Sequence, residues 1–224
     1  MPMLTHNVVH SAECRTGLEC RMNYLAHVYL ARQSDAAMVG AMLGDFVKVD
    51  NVLSYPPAIA REIMLHRYID TYTDAHPIVI EAKELFGEGR RRYAGIVLDI
   101  FYDHELSRHW DNWCDIPRRE LIARFYRALQ THEAILPQKL QEMLPFLISQ
   151  DWLGAYAEFA GVEETVARVS RRLSRNGHLL RDGVNDLVQH RDAIAAGFGR
   201  FFPDLVRFAE ARREELVSSP SLIS

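Results

Sequence analysis

The sequence predicts an all-α fold organised as a single helical domain. Three observations lead there. Alternating apolar–polar runs, Val/Ile/Thr clusters and Asn-Gly hairpin signals are nearly absent. Apolar residues recur at spacings of three and four along most of the chain. A serine and several prolines stand where helices would begin: Ser34, Pro56-Pro57, Pro77, Pro117 and Pro137.

Taken in order, residues 23–32 read as a short apolar helix, and Ser34 caps a second that runs to about residue 48. Pro56-Pro57 opens a third, which ends at His76 because Pro77 disfavours helical geometry in the residue before it. A helix over 77–86 meets a glycine break at 87–89, and a long helix follows over 90–113. Further helices are expected from Pro117, Pro137, Asp151 and Gly161, then over 180–201 and 203–216. Pro145 should break or kink the Pro137 segment. No repeat, low-complexity tract or linker divides the chain. Residues 1–21 carry no helical periodicity and read as a poorly ordered leader, with Met22 as an alternative start. Residues 22–217 form the domain and 218–224 a tail.

Composition removes several function classes. With 224 residues, 48% apolar and 25% charged, the chain can bury one core without disulfides. The balance of 26 basic and 30 acidic residues gives a net charge of −4, so no whole-molecule attraction to nucleic acid or anionic lipid is expected. The best uncharged stretch, residues 36–44, is far short of the ~18 apolar residues a membrane span needs. Cys14, Cys20 and Cys114 are odd in number and lack zinc or redox spacing, which fits a reducing compartment. A cytoplasmic location is expected, since no basic start followed by an apolar core marks a secretory signal.

The informative pattern is that core-facing stripes turn ionisable near the middle of the domain. One face of the third helix reads Ile59, Ile63, His66, Asp70, Asp74. The long helix carries Ile96, Ile100, Asp103, Ser107 beside Val97, Phe101, His104, Arg108. Met38, Met42, Asp45, Val49 places a carboxylate on the second helix, and Asn23 shares a face with His27 on the first. A buried carboxylate persists only when paired, hydrogen-bonded or bound to metal. Few basic residues share these rows, so one divalent cation would neutralise them together. Asp99 and Asp103 form a like-charge i, i+4 pair, unfavourable unless something positive lies between them or one is protonated.

Plainer readings exist for each residue. His27 or Asp45 alone could be a cap or a satisfied core group, and His66 with Asp70 a simple helix pair worth ~0.2–0.5 kcal/mol. Asp70 could instead pair with Arg67, Asp74 could be solvated, and His76 could be a turn residue. His109, Trp110, Trp113 and Cys114 read as packing or rim, and His132, His178 and His190 as surface or structural. Competing chemistries lack their signatures: no Lys-Ser/Thr phosphate loop, no Gly-x-Ser-x-Gly elbow and no parallel sheet for a dinucleotide.

Four motifs in order are similar to those of a known family. Met22-Asn23-Tyr24-Leu25-Ala26-His27, Gly44-Asp45-Phe46, His66-Arg67-x-Ile69-Asp70, and Leu98-Asp99-x3-Asp103-His104 with Ser107-Arg108-His109-Trp110 resemble the acyl carrier protein phosphodiesterases. Phe201-Phe202-Pro203 extends the likeness, which covers about residues 22–216. The resemblance implies a helical variant of the HD-type metal phosphohydrolases that uses a divalent ion, usually manganese, with magnesium or another ion as alternatives. It implies removal of 4′-phosphopantetheine from holo acyl carrier protein. The Asp103-His104 order is the reverse of the HD pair, and the leader has no counterpart in the family pattern.

Carried onto this chain, the motifs imply Asp45, His66, Asp70 and Asp103 as metal ligands, with His27 next in line, and His104, His27 and Asp99 as catalytic residues, with His104 assisting proton transfer. Lys48 and Arg67 are candidates for holding phosphate oxygens. An acidic carrier protein would need a local basic surface, for which Arg90, Arg91 and Arg92, or Arg168, Arg171, Arg172 and Arg175, are candidates. Two other readings fit the pattern: a phosphohydrolase of nucleotides or other small phosphodiesters, and a non-catalytic helical module with ion-paired acids.

Overall fold

Helices α2 (Asp35–Leu43) and α3 (Pro57–Ala75) pack face to face. They approach closely because position 40 is glycine; a Cβ there would fall 2.6 Å from the Ile59 carbonyl oxygen. The computed structural model describes residues 24–173 and 175–219. Ten α-helices and five short 3-10 turns make up the described residues, and no strand occurs among them. The expected leader, with Cys14, Cys20, Met22 and Asn23, lies outside the described residues, as does the tail beyond residue 219.

Most of the sequence-based elements form, and five expectations differ. Helix α1 (Tyr24–Leu30) is short and wholly buried. Ser34 caps α2, its side chain accepting from the Ala37 N–H at 3.1 Å. Helix α2 stops at Leu43, short of the expected residue 48, because the apolar row ends there and residues 48–50 face solvent in a 3-10 turn (Val49–Ser54). Helix α3 begins at Pro57 and ends before His76, as the prolines require. Helix α4 (Pro77–Glu84) follows. The long helix is α only over α5 (Ala94–Arg108), with 3-10 turns Arg91–Tyr93 and Trp110–Asn112 on either side.

Helices α6 (Arg118–Thr131) and α7 (Gln138–Ser149) come next. Pro145 does not break α7, which continues through it to Ser149 with the proline itself exposed. No helix starts at Asp151. That residue takes a left-handed turn at φ +44°, and its side chain accepts from the Gly154 N–H and the Tyr126 hydroxyl, leading into the 3-10 turn Gly154–Ala157. Helix α8 (Phe159–Arg172) is followed by α9 (Gly177–Gln189) and α10 (Arg191–Ser218). The expected break at Pro203 lies at His190 instead. Helix α10 runs through Pro203, whose partner carbonyl four residues earlier belongs to the exposed Gly199.

Helix α5 is the buried centre, touching α1, α8, α9 and α10. Helix α10 lies across α3 and is tied down by Arg213, which donates to Glu62 at 2.7 Å and to the Leu30 carbonyl at 2.8 Å. No helix among the described residues is long and apolar enough to cross a membrane.

Candidate active site

Three elements converge on one cluster. Helix α1 supplies His27, α3 supplies His66 and Asp70, and the segment leaving α2 supplies Asp45. His66 and Asp70 share a face because they are four apart. Among the described residues, the potential ligand atoms lying within 4.8 Å of one another belong to His27, His66 and Asp70. Asp45 joins at the edge, its Oδ1 3.3 Å from His66 Nε2.

The ring of His66 is fixed from behind. Its Nδ1 lies 2.7 Å from the Ala41 carbonyl oxygen, a contact that requires the proton on Nδ1. Nε2 then faces two carboxylates, Asp45 at 3.3 Å and Asp70 at 3.4 Å. A bare lone pair aimed at two anions is repulsive, so a cation belongs at that nitrogen: a proton or a metal ion. His27 stacks on His66 with centroids 3.8 Å apart and planes 16° from parallel, and its Nε2 is 3.2 Å from Asp70 Oδ1. Position 44 is glycine because a Cβ would sit 2.2 Å from the His66 ring.

Electrostatics in this cluster favour positive charge. Burial opposes protonation of His66, but Asp70 and Asp45 outweigh it and raise its pKa to about 10. Burial likewise pushes Asp70 up, yet the two imidazoles hold it well below the usual carboxylate range. Burial and the neighbouring His66 charge lower the pKa of His27. The cluster therefore accommodates one strongly held cation rather than two imidazolium rings.

The residues fit a metal ion on their own evidence. His27 Nδ1 and Asp45 Oδ2 are buried without a hydrogen-bond partner. Two imidazoles and two carboxylates form a mixed nitrogen–oxygen donor set suited to a divalent transition metal. Ala41 supplies the outer contact that orients a ligand imidazole.

Other sequence candidates take different places. Asp103 is fully buried, but its two oxygens accept the Leu25 and Ala26 backbone N–H groups at 3.0 and 2.9 Å, so it caps α1 and holds the helix that carries His27. Burial, reinforced by the charge of Asp99, raises its pKa. Asp99 is half-buried one turn earlier on α5, outside the three-residue group. His104 faces the opposite neighbours: Nδ1 donates to the Tyr156 carbonyl at 2.8 Å, and Nε2 lies 3.3 Å from Arg191 Nη2. Both ring nitrogens are engaged, so proton transfer at the cluster cannot be assigned to it.

Arg67 donates to the Val47 carbonyl and braces the loop after Asp45 instead of reaching outward. Lys48 is exposed at the start of the following turn. Asp74, last on the α3 stripe, is exposed and paired with Lys83 at 2.8 Å.

The expected basic surfaces also divide. Arg90 forms a two-pronged pair with Asp186 at 2.6 and 2.8 Å, joining the start of α5 to α9. Arg91 donates to the Glu84 carbonyl, and Arg92 stacks on Tyr93. Arg168 and Arg172 lie over the Trp152 ring at 4.6 and 6.0 Å. Arg171 and Arg175 line a cleft of about 350 Å³ with His178 and Arg181. Sequence reasoning missed Gly44 as the cradle of His66 and Ala41 as its orienting carbonyl, since both act on a histidine on another helix, more than 20 residues later in the chain.

The chain matches the family model described as acyl carrier protein phosphodiesterase over residues 22–205. The chain belongs to that family. It is 36% identical over 192 residues to an acyl carrier protein phosphodiesterase of Photorhabdus laumondii, covering 84% of this chain and 96% of that one. It is 35% identical over 196 residues to that of Salmonella dublin, covering 87% of this chain and 100% of that one, with the same figures for Salmonella agona. No solved structure matches the chain. The match begins just before α1 and ends within α10, so it contains every residue of the cluster.

Proposed function

We propose that the chain hydrolyses the phosphodiester joining 4′-phosphopantetheine to a serine of holo acyl carrier protein, with a divalent cation, manganese, at the His27–His66–Asp70 cluster. The observation that carries this reading is His66 Nε2 directed at two carboxylates with its other nitrogen already committed. The relatives are named for this carrier-protein reaction.

When bound, such an ion supplies positive charge to phosphate oxygens and makes water a better nucleophile at neutral pH. The protein's part is positioning. Ala41 fixes the His66 tautomer, and Asp70 spans the two imidazoles. Asp45 Oδ2, buried and without a partner, is the acceptor placed to hold an attacking water and take its proton. Water adds to phosphorus, the bond from phosphorus to the serine oxygen breaks, and a proton ends on that oxygen. Lys48 is offered as a phosphate contact, and Arg67 as the brace of the loop beside it. The Arg171, Arg175 and Arg181 cleft is offered as the surface that meets the acidic carrier.

Mass spectrometry of holo carrier protein incubated with enzyme and manganese tests the reading. Loss of the arm, abolished by chelator and by Asp45→Ala, is expected, with nucleotide diesters untouched. Turnover indifferent to chelation and to that substitution, or confined to small diesters, would overturn it.

A further inference from the structure

The cluster opens to solvent through its carboxylates. The side chains of His27 and His66 are 2% and 1% exposed, whereas those of Asp70 and Asp45 are each 13% exposed, so the two aspartates form the mouth. In the proposed substrate only the serine Oγ and Cβ separate the phosphorus from the carrier's backbone. The pantetheine arm leaves the phosphorus in the other direction and adds no reach on this side. A phosphorus at the mouth therefore brings the carrier's own surface against the rim of Asp45 and Asp70.

The rim beside Asp45 is apolar. Phe46 follows Asp45 directly, and the 3-10 turn Val49–Ser54 comes next. Val52 is wholly buried and pins that turn, which leaves Val49 and Leu53 54% and 66% exposed. The turn packs against α3, the helix of His66 and Asp70. Lys139 Nζ lies 5.9 Å from the centroid of the Phe46 ring, which brings the first turn of α7 to the same edge. Phe146 is 59% exposed and lies seven residues beyond Lys139, on the same face of α7.

Single exposed apolar residues are ordinary, but a group of them beside a reaction site marks a contact surface. Lys48 and Lys139 are exposed and take part in no ion pair among the described residues. The acids of the two segments are Asp50 and Glu142, and Glu142 already accepts from Gln138. Charge is close to balanced here, so this strip offers apolar contact where the Arg171, Arg175 and Arg181 cleft offers attraction.

We infer that Phe46, Val49 and Leu53, continued by Phe146, form the surface on which the acyl carrier protein seats beside its modified serine. The inference rests on the proposed substrate and cluster but not on turnover, so binding tests it directly. Dye-labelled apo carrier protein, which has neither arm nor scissile bond, is titrated with the purified chain while fluorescence anisotropy is followed.

Saturable binding is expected, weakened about tenfold or more in Val49→Ser/Leu53→Ser and several-fold in Phe146→Ser. Both losses should persist at ~1 M salt, because apolar contact is not screened, whereas a loss in Lys139→Glu should fade there. With holo carrier protein, KM should rise in the double variant while kcat stays within about twofold of wild type. All these side chains are exposed, and unchanged thermal unfolding confirms that the variants fold. Unchanged affinity in the double variant, a loss that disappears at high salt, or no binding of apo carrier protein by wild type would overturn the inference. Docking sensitive to the double variant in a protein that never releases the arm would contradict only the hydrolysis.

Discussion

At the scale of single residues, the cluster depends on a histidine held by a carbonyl and on space left by a glycine. Gly44→Ala removes no ligand, yet its Cβ would meet the His66 ring at 2.2 Å. We expect this variant to lose manganese binding and activity while remaining folded, measured by metal titration and circular dichroism. Proton linkage gives a second prediction. In metal-free protein the pKa of His66 is raised to about 10, so the stability it contributes is fully present below ~6.5 and is lost as pH rises through about 10. Asp70 is depressed, so its contribution is present above the ordinary carboxylate range and is lost as pH falls. Metal competes with the proton on His66, so the gain in Tm on adding manganese should grow from pH 6.5 to 9 while metal-free Tm declines. Thermal scans with and without chelator check this; a gain independent of pH would contradict it.

At the scale of elements, Asp103 shows what a helical stripe can and cannot reveal. The rows on α3 and α5 were legible because buried ionisable residues interrupt apolar periodicity, and His66, Asp70, His27 and Asp45 do meet. Asp103 obeys the same pattern but serves as a cap for α1, through backbone groups 77 and 78 residues earlier. Periodicity assigns a face; it does not say which neighbouring helix end lies against that face. His104 faces the Gly154–Ala157 turn and α10 for the same reason, and Arg90 finds its partner Asp186 96 residues later. Asp103→Ala should destabilise the protein by about 1–3 kcal/mol through the two freed N–H groups and lower activity by loosening α1. Urea unfolding measures the first effect. Full activity with unaltered stability would refute the capping role.

At the scale of the whole molecule, helix order was legible, but breaks were not. The helix boundary falls at His190 rather than Pro203 because the carbonyl left without a partner by Pro203 belongs to the exposed Gly199, and α10 is held across α3 through Arg213 and Glu62. Net charge of −4 hides a local basic cleft, so carrier docking is expected to be electrostatic. KM for holo carrier protein should rise as salt approaches ~1 M, where the Debye length is about 3 Å, and should rise at low salt in Arg171→Glu. A salt-independent KM would remove the cleft from docking and leave the cluster intact. The account as a whole depends on His27, His66, Asp70 and Asp45 sharing one cation drawn from three separate segments. Equilibrium dialysis of purified chain against manganese tests this most directly. One tightly bound ion per chain, lost in Asp70→Asn and in His66→Gln, is the predicted result. No binding, or binding indifferent to both substitutions, would contradict it.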